Sequence, residues 1–274
     1  MQYLGLPLAQ RLESCEGAAG AQFVDARVRL FPEIGACRIE VAGASATFDG
    51  PQSPITQSFC LGMFALPTAA EMDTIEDFFH SRGAPAHHEV SPPAPKELLA
   101  ILTGRGYRPI ELTDVMFLPL PTETRPPGVI TVRLAEPHEQ ELWAATAAEG
   151  WREFAELSPG LADLARVFAA RGGSLSFLAE EDGKTIATGG LVIHEGVALM
   201  AGASTVPEFR RRGAQRALFH ARLAHAARLG CDLAMVCTEP GSASQRNAAH
   251  HGFRVAYTRI KWALDPPGAA GLRN

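Results

Sequence analysis

The segment Thr205-Val-Pro-Glu-Phe-Arg-Arg-Arg-Gly-Ala-Gln-Arg-Ala-Leu218 has the pattern of a strand that passes through a basic turn into a helix. Arg210, Arg211 and Arg212 give the turn a positive charge, and Gly213 permits a backbone conformation that a Cβ disfavours. The first N–H groups of a helix have no acceptor within the helix, and the helix dipole adds positive potential there. The segment therefore predicts a site for a phosphate-bearing ligand, held largely by main chain.

The residues after this turn predict a helix and then a buried strand. Apolar residues recur at helical spacing over residues 217–229, and Gly230 suits the end of the helix. The apolar run 233–236 favours a strand, and the polar segment 238–244 follows its end. Ligands of open α/β sheets bind beyond the carboxyl ends of strands, so this segment and the basic turn can face one another.

A long-period repeat organises the chain. The segment Arg105-Gly-Tyr-Arg-Pro-Ile-Glu-Leu-Thr113 parallels His251-Gly-Phe-Arg-Val-Ala-Tyr-Thr258, and an apolar strand follows each copy. A predicted helix and strand precede each copy at similar separation, at residues 72–81 and 83–91 and at residues 215–229 and 230–238. This self-similarity indicates two copies of one supersecondary plan.

The first copy lacks the basic turn. Ahead of its helix the chain reads Phe64-Ala-Leu-Pro-Thr-Ala-Ala-Glu-Met-Asp-Thr74, which contains two acidic residues and neither arginine nor glycine. Acidic side chains favour a helix start through the dipole, but they repel a pyrophosphate. The Pro-rich residues 119–127 have the composition of a linker. We therefore expect a degenerate domain at residues 1–124, without a pyrophosphate loop, and a ligand-binding domain at residues 125–274.

Composition narrows the classes of function. With 274 residues, 46% of them hydrophobic, the chain is long enough for a substantial core, and its net charge of -5 argues against a nucleic-acid binder. Five scattered cysteines indicate reduced thiols and a cytoplasmic protein. The absence of a long apolar run predicts no membrane association. Adjacent histidines at 87–88 and 250–251 lack a suitably spaced third ligand, so we expect no metal.

The order of these segments resembles the GNAT superfamily of acyl-CoA-dependent N-acetyltransferases. The family signature is Gln or Arg, two residues, Gly, one residue, then Gly or Ala. Arg210 and Gly213 occupy its first two fixed places, whereas Gln215 stands where the small residue is usual. The segment Gly241-Ser-Ala-Ser-Gln-Arg-Asn-Ala-Ala-His-His-Gly-Phe253 is similar to a second cofactor-proximal element of many bacterial members. The matching segments cover about residues 129–264.

This resemblance implies a mixed α/β fold of two tandem GNAT-like units, each with a largely antiparallel central sheet and flanking helices. In the family, the strand before the basic turn opens at a bulge and splays from its neighbour, which exposes main chain to the pantetheine arm of the acyl-CoA. The resemblance then assigns the pantetheine to the backbone of Thr205 and Val206. It assigns the pyrophosphate to Arg211, Arg212, Gly213, Ala214, Gln215 and Arg216. Asn247 is expected to reach the cofactor from the other side, with a cap or turn role as the alternative.

The implied reaction is attack of a neutral amine on a thioester, which needs a base for the ammonium proton and an acid for the departing thiolate. Glu195, which we expect at the end of a strand beside the splay, is the first candidate base, with Glu239 and His194 in reserve. Ala248 occupies the place where many relatives carry a tyrosine acid, so Tyr257 is the candidate substitute. A turn residue and an edge-of-core residue are the alternative readings of Glu195 and Tyr257, and proximity alone, with solvent relaying protons, is a further route.

Together these features predict transfer of an acetyl or similar acyl group from acyl-CoA to a primary amine of a small molecule or peptide. Trp143, Trp151 and Phe154 fall in the helical region that covers the acceptor in relatives, either as a pocket wall or as core. A non-catalytic acyl-CoA-binding or regulatory protein is the alternative, and a nucleotide-binding module is a weaker third. The sequence leaves a homodimer open.

Overall fold

A computed structural model describes residues 5–122, 128–153 and 160–268. Tertiary contacts divide the chain into two compact units, Met1–Met116 together with Cys237–Asn274, and Phe117–Val236. This division differs from the predicted one because residues 237–274 join the first unit, where the last strand pairs with residues 86–90. The predicted boundary at residue 124 lies outside the described residues and stays a prediction.

The first unit contains a six-stranded sheet with helices α1 (Leu6–Leu30), α2 (Ala69–His80), α3 (Lys96–Gly104) and α7 (Ala243–His250). Its strands are β1 (Cys37–Val41), β2 (Ala44–Phe48), β3 (Gln57–Phe59), β4 (Ala86–Val90), β5 (Arg108–Pro119) and β11 (Arg254–Leu264). Their order is β1-β2-β3-β4-β11-β5, with β3 and β4 parallel and the pairs β1–β2, β2–β3 and β4–β11 antiparallel. Apolar faces of α2 and α3 pack on this sheet around Phe79, Leu98 and Trp262.

The second unit contains a five-stranded sheet with helices α4 (Gln140–Trp151), α5 (Leu161–Ala170) and α6 (Ala214–Arg228). Its strands are β6 (Thr131–Leu134), β7 (Ser174–Glu181), β8 (Lys184–His194), β9 (Val197–Thr205) and β10 (Leu233–Thr238), in the order β10-β9-β8-β7-β6. Strands β6 to β9 form an antiparallel meander, whereas β10 is parallel to β9 and follows it through α6. The predicted mixed α/β fold with largely antiparallel sheets is therefore confirmed.

The predicted repeat has the same local geometry in both copies. After α3, the N–H of Gly106 donates to Thr103 and that of Tyr107 to Leu102. After α7, the N–H of Gly252 donates to Ala249 and that of Phe253 to Ala248, in the same spacing. Both glycines have φ near +90° (89° and 88°), as this helix-ending motif requires, and both aromatic rings are buried. The element order strand, helix, strand, helix, strand is also shared, from β3 to β5 and from β9 to β11.

The described residues meet neither the requirements of a membrane-spanning helix nor those of a metal site. No helix there combines the length and apolarity that crossing a bilayer needs. The same residues contain no group of three His, Cys, Asp or Glu side chains arranged to hold a metal ion.

Candidate functional site

Strands β9 and β10 separate partway along their length. Their parallel pairing covers Leu233 to Met235 against Val197 to Leu199, although β9 continues to Thr205. Because the strands are parallel, the paired part is where both begin, and the pairing ends at Leu199 of β9. The main chain of β9 from Met200 onward therefore has no ladder partner in β10, and a ligand with amide groups can pair with it.

A bulge in β9 accompanies the separation. The β8–β9 register passes from Thr188 opposite Ser204 to Gly190 opposite Ala201, so β9 contains one extra residue there. The end of helix α4 contacts this bulge. The indole Nε1 of Trp151 donates to the carbonyl oxygen of Ala203 at 3.2 Å. A bulge of this kind bends the strand and redirects the residues that follow it.

The chain then turns into α6 through the predicted basic loop. A 3₁₀ turn at Pro207–Phe209 is followed by Arg211 at φ 66° and Gly213 at φ 94°, both in the left-handed region. Gly213 is the N-cap of α6, and no side chain caps the helix there. The free N–H groups of the first turn are consequently available to an anion, which the helix dipole also favours.

Helix α2, at the corresponding place in the first unit, begins differently. The Thr68 hydroxyl accepts a hydrogen bond from the N–H of Glu71, and the Glu71 carboxylate accepts one from the N–H of Thr68 at 2.8 Å. This capping box satisfies donors that are open in α6 and puts a negative charge on the helix start. The hydrogen bonds from Thr68 also hold the pKa of Glu71 below its ordinary value. The acidic start of α2 therefore has its own side-chain caps, whereas the start of α6 has none.

Three arginines of the loop and one in the first turn of α6 differ in their partners. Arg210 pairs with Glu153 at 2.5 Å and donates to the Gly150 carbonyl, and Arg212 pairs with Glu181 at 2.9 Å. Arg211 and Arg216 are exposed and have no ion pair with any carboxylate that the structure describes. One terminal nitrogen of Arg216 lies 3.7 Å from the position that a Cβ on Gly213 would occupy. Two uncompensated cations therefore flank the open helix end.

Gln215, which stands where the family signature has a small residue, uses its side chain to bond the end of β9. Its side-chain Nε2 donates to the Ser204 carbonyl at 2.9 Å and to the Thr205 hydroxyl at 2.8 Å. The side chain therefore ties the first turn of α6 to the end of β9. A small residue at this position would leave the strand end without that connection.

The two residues predicted to hold the pantetheine are oriented differently. The N–H of Val206 donates to the Ile186 carbonyl at 3.0 Å and is therefore already used. Thr205 lies opposite Ala187, one step earlier, and hydrogen-bonding direction alternates along an antiparallel strand. The backbone groups of Thr205 consequently point away from β8, toward the side on which β10 has separated. The Thr205 carbonyl accepts a hydrogen bond from the Arg210 Nε at 3.4 Å, and the predicted pantetheine contacts of Thr205 and Val206 stay predictions.

Glu195 does not lie where the sequence suggested. It occupies the β8–β9 turn with φ 46°, next to the paired beginning of β9 rather than beside the splay. The eight residue steps from Val197 to Thr205 correspond to roughly 27 Å at the usual strand rise. The expectation of a base beside the splay must be corrected in this respect, because the separation of β9 from β10 begins only after Leu199. A catalytic role for Glu195 stays a prediction without geometric support.

Tyr257 and Asn247 belong to the first unit. The Tyr257 hydroxyl donates to Glu13 at 2.8 Å, and burial together with the nearby Glu13 carboxylate raises the pKa of the tyrosine well above its ordinary value. Its proton is therefore already engaged within a buried cluster. Asn247 lies on α7, where its carbonyl hydrogen-bonds with the ring of His251. Their predicted roles toward a cofactor stay predictions.

Two buried arginines were missed by the sequence reasoning. Arg222 on α6 and Arg171 after α5 both approach the glycine pair Gly189-Gly190 in the middle of β8. Adjacent glycines inside a predicted strand indicate a close approach by another group, and this was the available signal. Of the predicted pocket aromatics, Trp143 is buried and Trp151 half-buried, while Phe154 lies outside the described residues.

Known proteins share both the sequence pattern and the fold. Residues 140–253 match the model of the acetyltransferase (GNAT) family. No match was found among curated proteins.

Three solved structures are similar over most of the chain. A GCN5-related N-acetyltransferase from Kribbella flavida has 20% identity and a TM-score of 0.61, with coverage of 93% of this chain and 98% of that one. A tandem GNAT protein from the clavulanic acid biosynthesis pathway has 13% identity and a TM-score of 0.57, with coverage of 85% and 80%. A GCN5-related N-acetyltransferase from Sphaerobacter thermophilus has 18% identity and a TM-score of 0.52, with coverage of 77% and 73%. Residues 140–253 therefore match the GNAT family, and the chain shares its fold with these three solved structures.

Proposed function

We propose that the second unit binds an acyl-CoA and that the protein transfers its acetyl or similar acyl group to a primary amine. The observation that carries this proposal is the uncapped start of α6, flanked by Arg211 and Arg216, directly after a strand whose main chain has lost its neighbour. A pyrophosphate and an amide-containing arm, joined in one molecule, match these two features in sequence. Acyl-CoA has this construction.

The residues fit the ligand in the following way. The pyrophosphate oxygens accept hydrogen bonds from the backbone of Gly213, Ala214, Gln215 and Arg216, while Arg211 and Arg216 supply charge. Arg212 keeps the loop in place through Glu181 and through the Phe209 ring, whose centroid lies 5.1 Å from its guanidinium carbon. The space beside Gly213 admits close approach, since among the described residues other than its chain neighbours only a terminal nitrogen of Arg216 lies within 4 Å of an added Cβ. Thr205 pairs with the pantetheine through its main chain.

The proposed chemistry is a direct transfer. The amine nitrogen forms a bond to the thioester carbonyl carbon, the carbon–sulfur bond breaks, and the sulfur leaves as thiolate. The nitrogen loses one proton and the thiolate gains one, so charge and atoms balance. Since Glu195 and Tyr257 lack a supporting geometry, solvent is the proton carrier we favour, and the protein contributes alignment, which alone supplies several kcal/mol in oriented reactions.

A second candidate is a non-catalytic acyl-CoA-binding or regulatory protein. It is favoured by one specific observation, which is that the Tyr257 hydroxyl already donates to Glu13. This candidate uses the same cofactor residues and differs in turnover alone.

Calorimetric titration with acetyl-CoA, with ATP as the competing ligand, tests the binding step. A free-thiol release assay on the same sample against a panel of primary amines tests the transfer. We expect acetyl-CoA to bind and at least one amine to release thiol above the hydrolysis background. Binding without turnover across the panel would favour the regulatory candidate. Absence of acetyl-CoA binding would overturn both.

A further inference from the structure

Two arginines enter the interior of the second unit, and they differ in how their charges are accommodated. Arg222 is fully buried on α6, where its Nε donates to the Leu218 carbonyl at 3.2 Å and its Nη1 donates to the Gly190 carbonyl at 3.1 Å. Its guanidinium also lies over the Phe219 ring at 5.2 Å. Two of its three guanidinium nitrogens therefore have carbonyl acceptors, while its Nη2 is buried without a hydrogen-bond partner.

Arg171 is 6% exposed and lacks such acceptors. Its Nε is buried without a hydrogen-bond partner, and no described residue forms an ion pair with its guanidinium. The Phe168 ring, 4.6 Å away, offers a cation–π contact alone. Burial lowers the pKa of Arg171 to about 10, which still leaves it charged at neutral pH. A buried charge with neither a carboxylate nor a carbonyl acceptor among the described residues is strongly unfavourable, so an anionic partner outside them is indicated.

The position of Arg171 connects it to the candidate site. One of its terminal nitrogens lies 3.8 Å from where a Cβ on Gly190 would stand, opposite Ala201 at the bulge. The backbone nitrogen of Gly190 lies 3.8 Å from the Cβ position of Gly202, which the Trp143 ring approaches to 3.3 Å. Arg171 thus lies at the bulge from which the exposed main chain of β9 continues to Thr205.

The surroundings of Arg171 are aromatic. The Phe168 ring packs edge-on to Trp151 with centroids 5.8 Å apart, and Trp151 packs in the same way on Trp143 at 6.5 Å. These rings belong to the hydrophobic cluster of α4, α5 and β7, and the Arg171 guanidinium lies against that cluster over Phe168. A carboxylate matches the planar, two-pronged guanidinium better than other common anionic groups of metabolite size.

We propose that Arg171 binds a carboxylate of the acceptor, so that the substrate is an amine that also carries a carboxylate group. This inference rests on the proposed function, because the ligand is an acceptor only if the acyl transfer takes place. Recognition of the carboxylate does not depend on turnover. The amine of such a substrate would be held near the bulge by its own acid group. Arg171 is a specificity-determining residue in this account and takes no proton.

Equilibrium binding of matched product analogues tests the proposal without requiring catalysis. The probes are N-acetylglycine, N-acetyl-leucine and N-acetyl-phenylalanine, each compared with its carboxamide, titrated calorimetrically into the full-length protein saturated with CoA and also without CoA. We expect at least one carboxylate to bind ten or more times more tightly than its amide. In Arg171→Met this ratio should fall to within a factor of two of unity.

Two controls separate a ligand-binding role from a structural one. Replacing an unpaired buried charge by an apolar chain of similar length is expected to leave the melting temperature of the ligand-free Arg171→Met protein unchanged or raised. Arg222→Met, which removes hydrogen bonds to two carbonyls, should lower it while keeping the carboxylate preference. Glu156→Gln, in the segment outside the described residues, tests whether an internal carboxylate is the true partner.

Three outcomes would overturn the proposal. The first is that the wild-type protein binds no carboxylate probe more tightly than its carboxamide. This outcome can be measured without any variant. The second is a preference that survives in Arg171→Met. The third is a lower melting temperature in Arg171→Met, contrary to expectation, that Glu156→Gln reproduces. A wild-type protein that does not bind acetyl-CoA or does not turn over would contradict the proposed transfer. The affinity ratios of carboxylate to carboxamide would still decide whether Arg171 binds a carboxylate.

Discussion

The side-chain nitrogen of Gln215 donates to the carbonyl oxygen of Ser204 at 2.9 Å, and this bond joins the first turn of α6 to the end of the bulged strand β9. The same nitrogen lies 2.8 Å from the Thr205 hydroxyl. Two parts of the candidate site, the open helix start and the exposed strand end, are thereby held in one arrangement. The relationship gives a function to a residue that the family signature does not anticipate.

Gln215→Ala should lower the free energy of unfolding and weaken acetyl-CoA binding several-fold. Each lost hydrogen bond is worth about 1 kcal/mol, and the strand end becomes free to move away from the helix. Denaturant unfolding and calorimetry measure the two effects. Gln10→Ala is the matched control, because Gln10 donates to the Met63 carbonyl at 2.7 Å in the first unit. It should reduce stability alone, and a control that weakened binding equally would argue against the stated cause.

Gly213→Asp should weaken acetyl-CoA binding by at least tenfold. A carboxylate at the N-cap of α6 would satisfy the free N–H groups itself and repel the pyrophosphate. Gly213→Asn is the isosteric control for the strain that any side chain experiences at φ 94°. We expect the asparagine variant to bind clearly more tightly than the aspartate variant in calorimetric titration. Equal affinities for the two would remove the charge argument.

Arg216→Ala and Arg211→Ala should each reduce acetyl-CoA affinity by about tenfold, the usual order for a charge-assisted hydrogen bond of about 1.5 kcal/mol. Both variants should also flatten the dependence of affinity on salt concentration, since exposed charges are screened by ions. The comparison variant is Arg166→Ala on α5, whose arginine pairs with Glu141 and Asp163 at 3.2 Å. A similar loss of affinity in that variant would point to net charge rather than to the loop.

Thr68→Ala should destabilise the first unit by about 1 kcal/mol, the typical cost of losing an N-cap side chain. Acetyl-CoA affinity should not change, because the capped start of α2 is not expected to bind the cofactor. Thermal unfolding and calorimetry on the same preparation provide both measurements. A Thr68→Ala protein with altered affinity would assign the first unit a part in cofactor binding.

The protein should lose stability in mild acid through His88. This ring is completely buried, bonded to the Ser58 hydroxyl at 2.6 Å and to the Tyr107 hydroxyl at 2.8 Å, and desolvation lowers its pKa to about 3. The unfolded chain binds a proton near pH 6.5, whereas the folded protein does not until about pH 3. Stability is therefore complete above pH 6.5 and falls by up to about 1.4 kcal/mol per pH unit between these values.

The measurement is denaturant unfolding at a series of pH values between 7 and 4. His88→Gln, which keeps hydrogen-bonding groups without a titrating ring, should be less stable at pH 7 but show a shallower decline toward pH 4. Parallel declines in the two proteins would assign the acid sensitivity to other groups.

Much of the site's framework was predictable from the sequence because its signals are local. The glycine of the basic turn and the two Gly-aromatic helix ends depend on backbone preferences within a few residues. The α6 prediction of residues 215–229 agrees with the observed Ala214–Arg228 to within one residue at each end. The positions of the functional side chains were less predictable, because a strand pattern does not show at which end the strand loses its pairing with its neighbour.

The sequence by itself determined the order of elements, the tandem repeat and the uncapped basic start of α6, because helical periodicity, strand alternation and left-handed glycines act over short distances. Only the tertiary structure decided that Glu195 lies at the paired end of β9 and that Tyr257 donates to Glu13, 244 positions away in the chain. It alone placed Arg171 in the interior, where no described residue forms an ion pair with it. These properties arise from packing between distant segments, where burial and charge pairing depend on neighbours that no local pattern specifies.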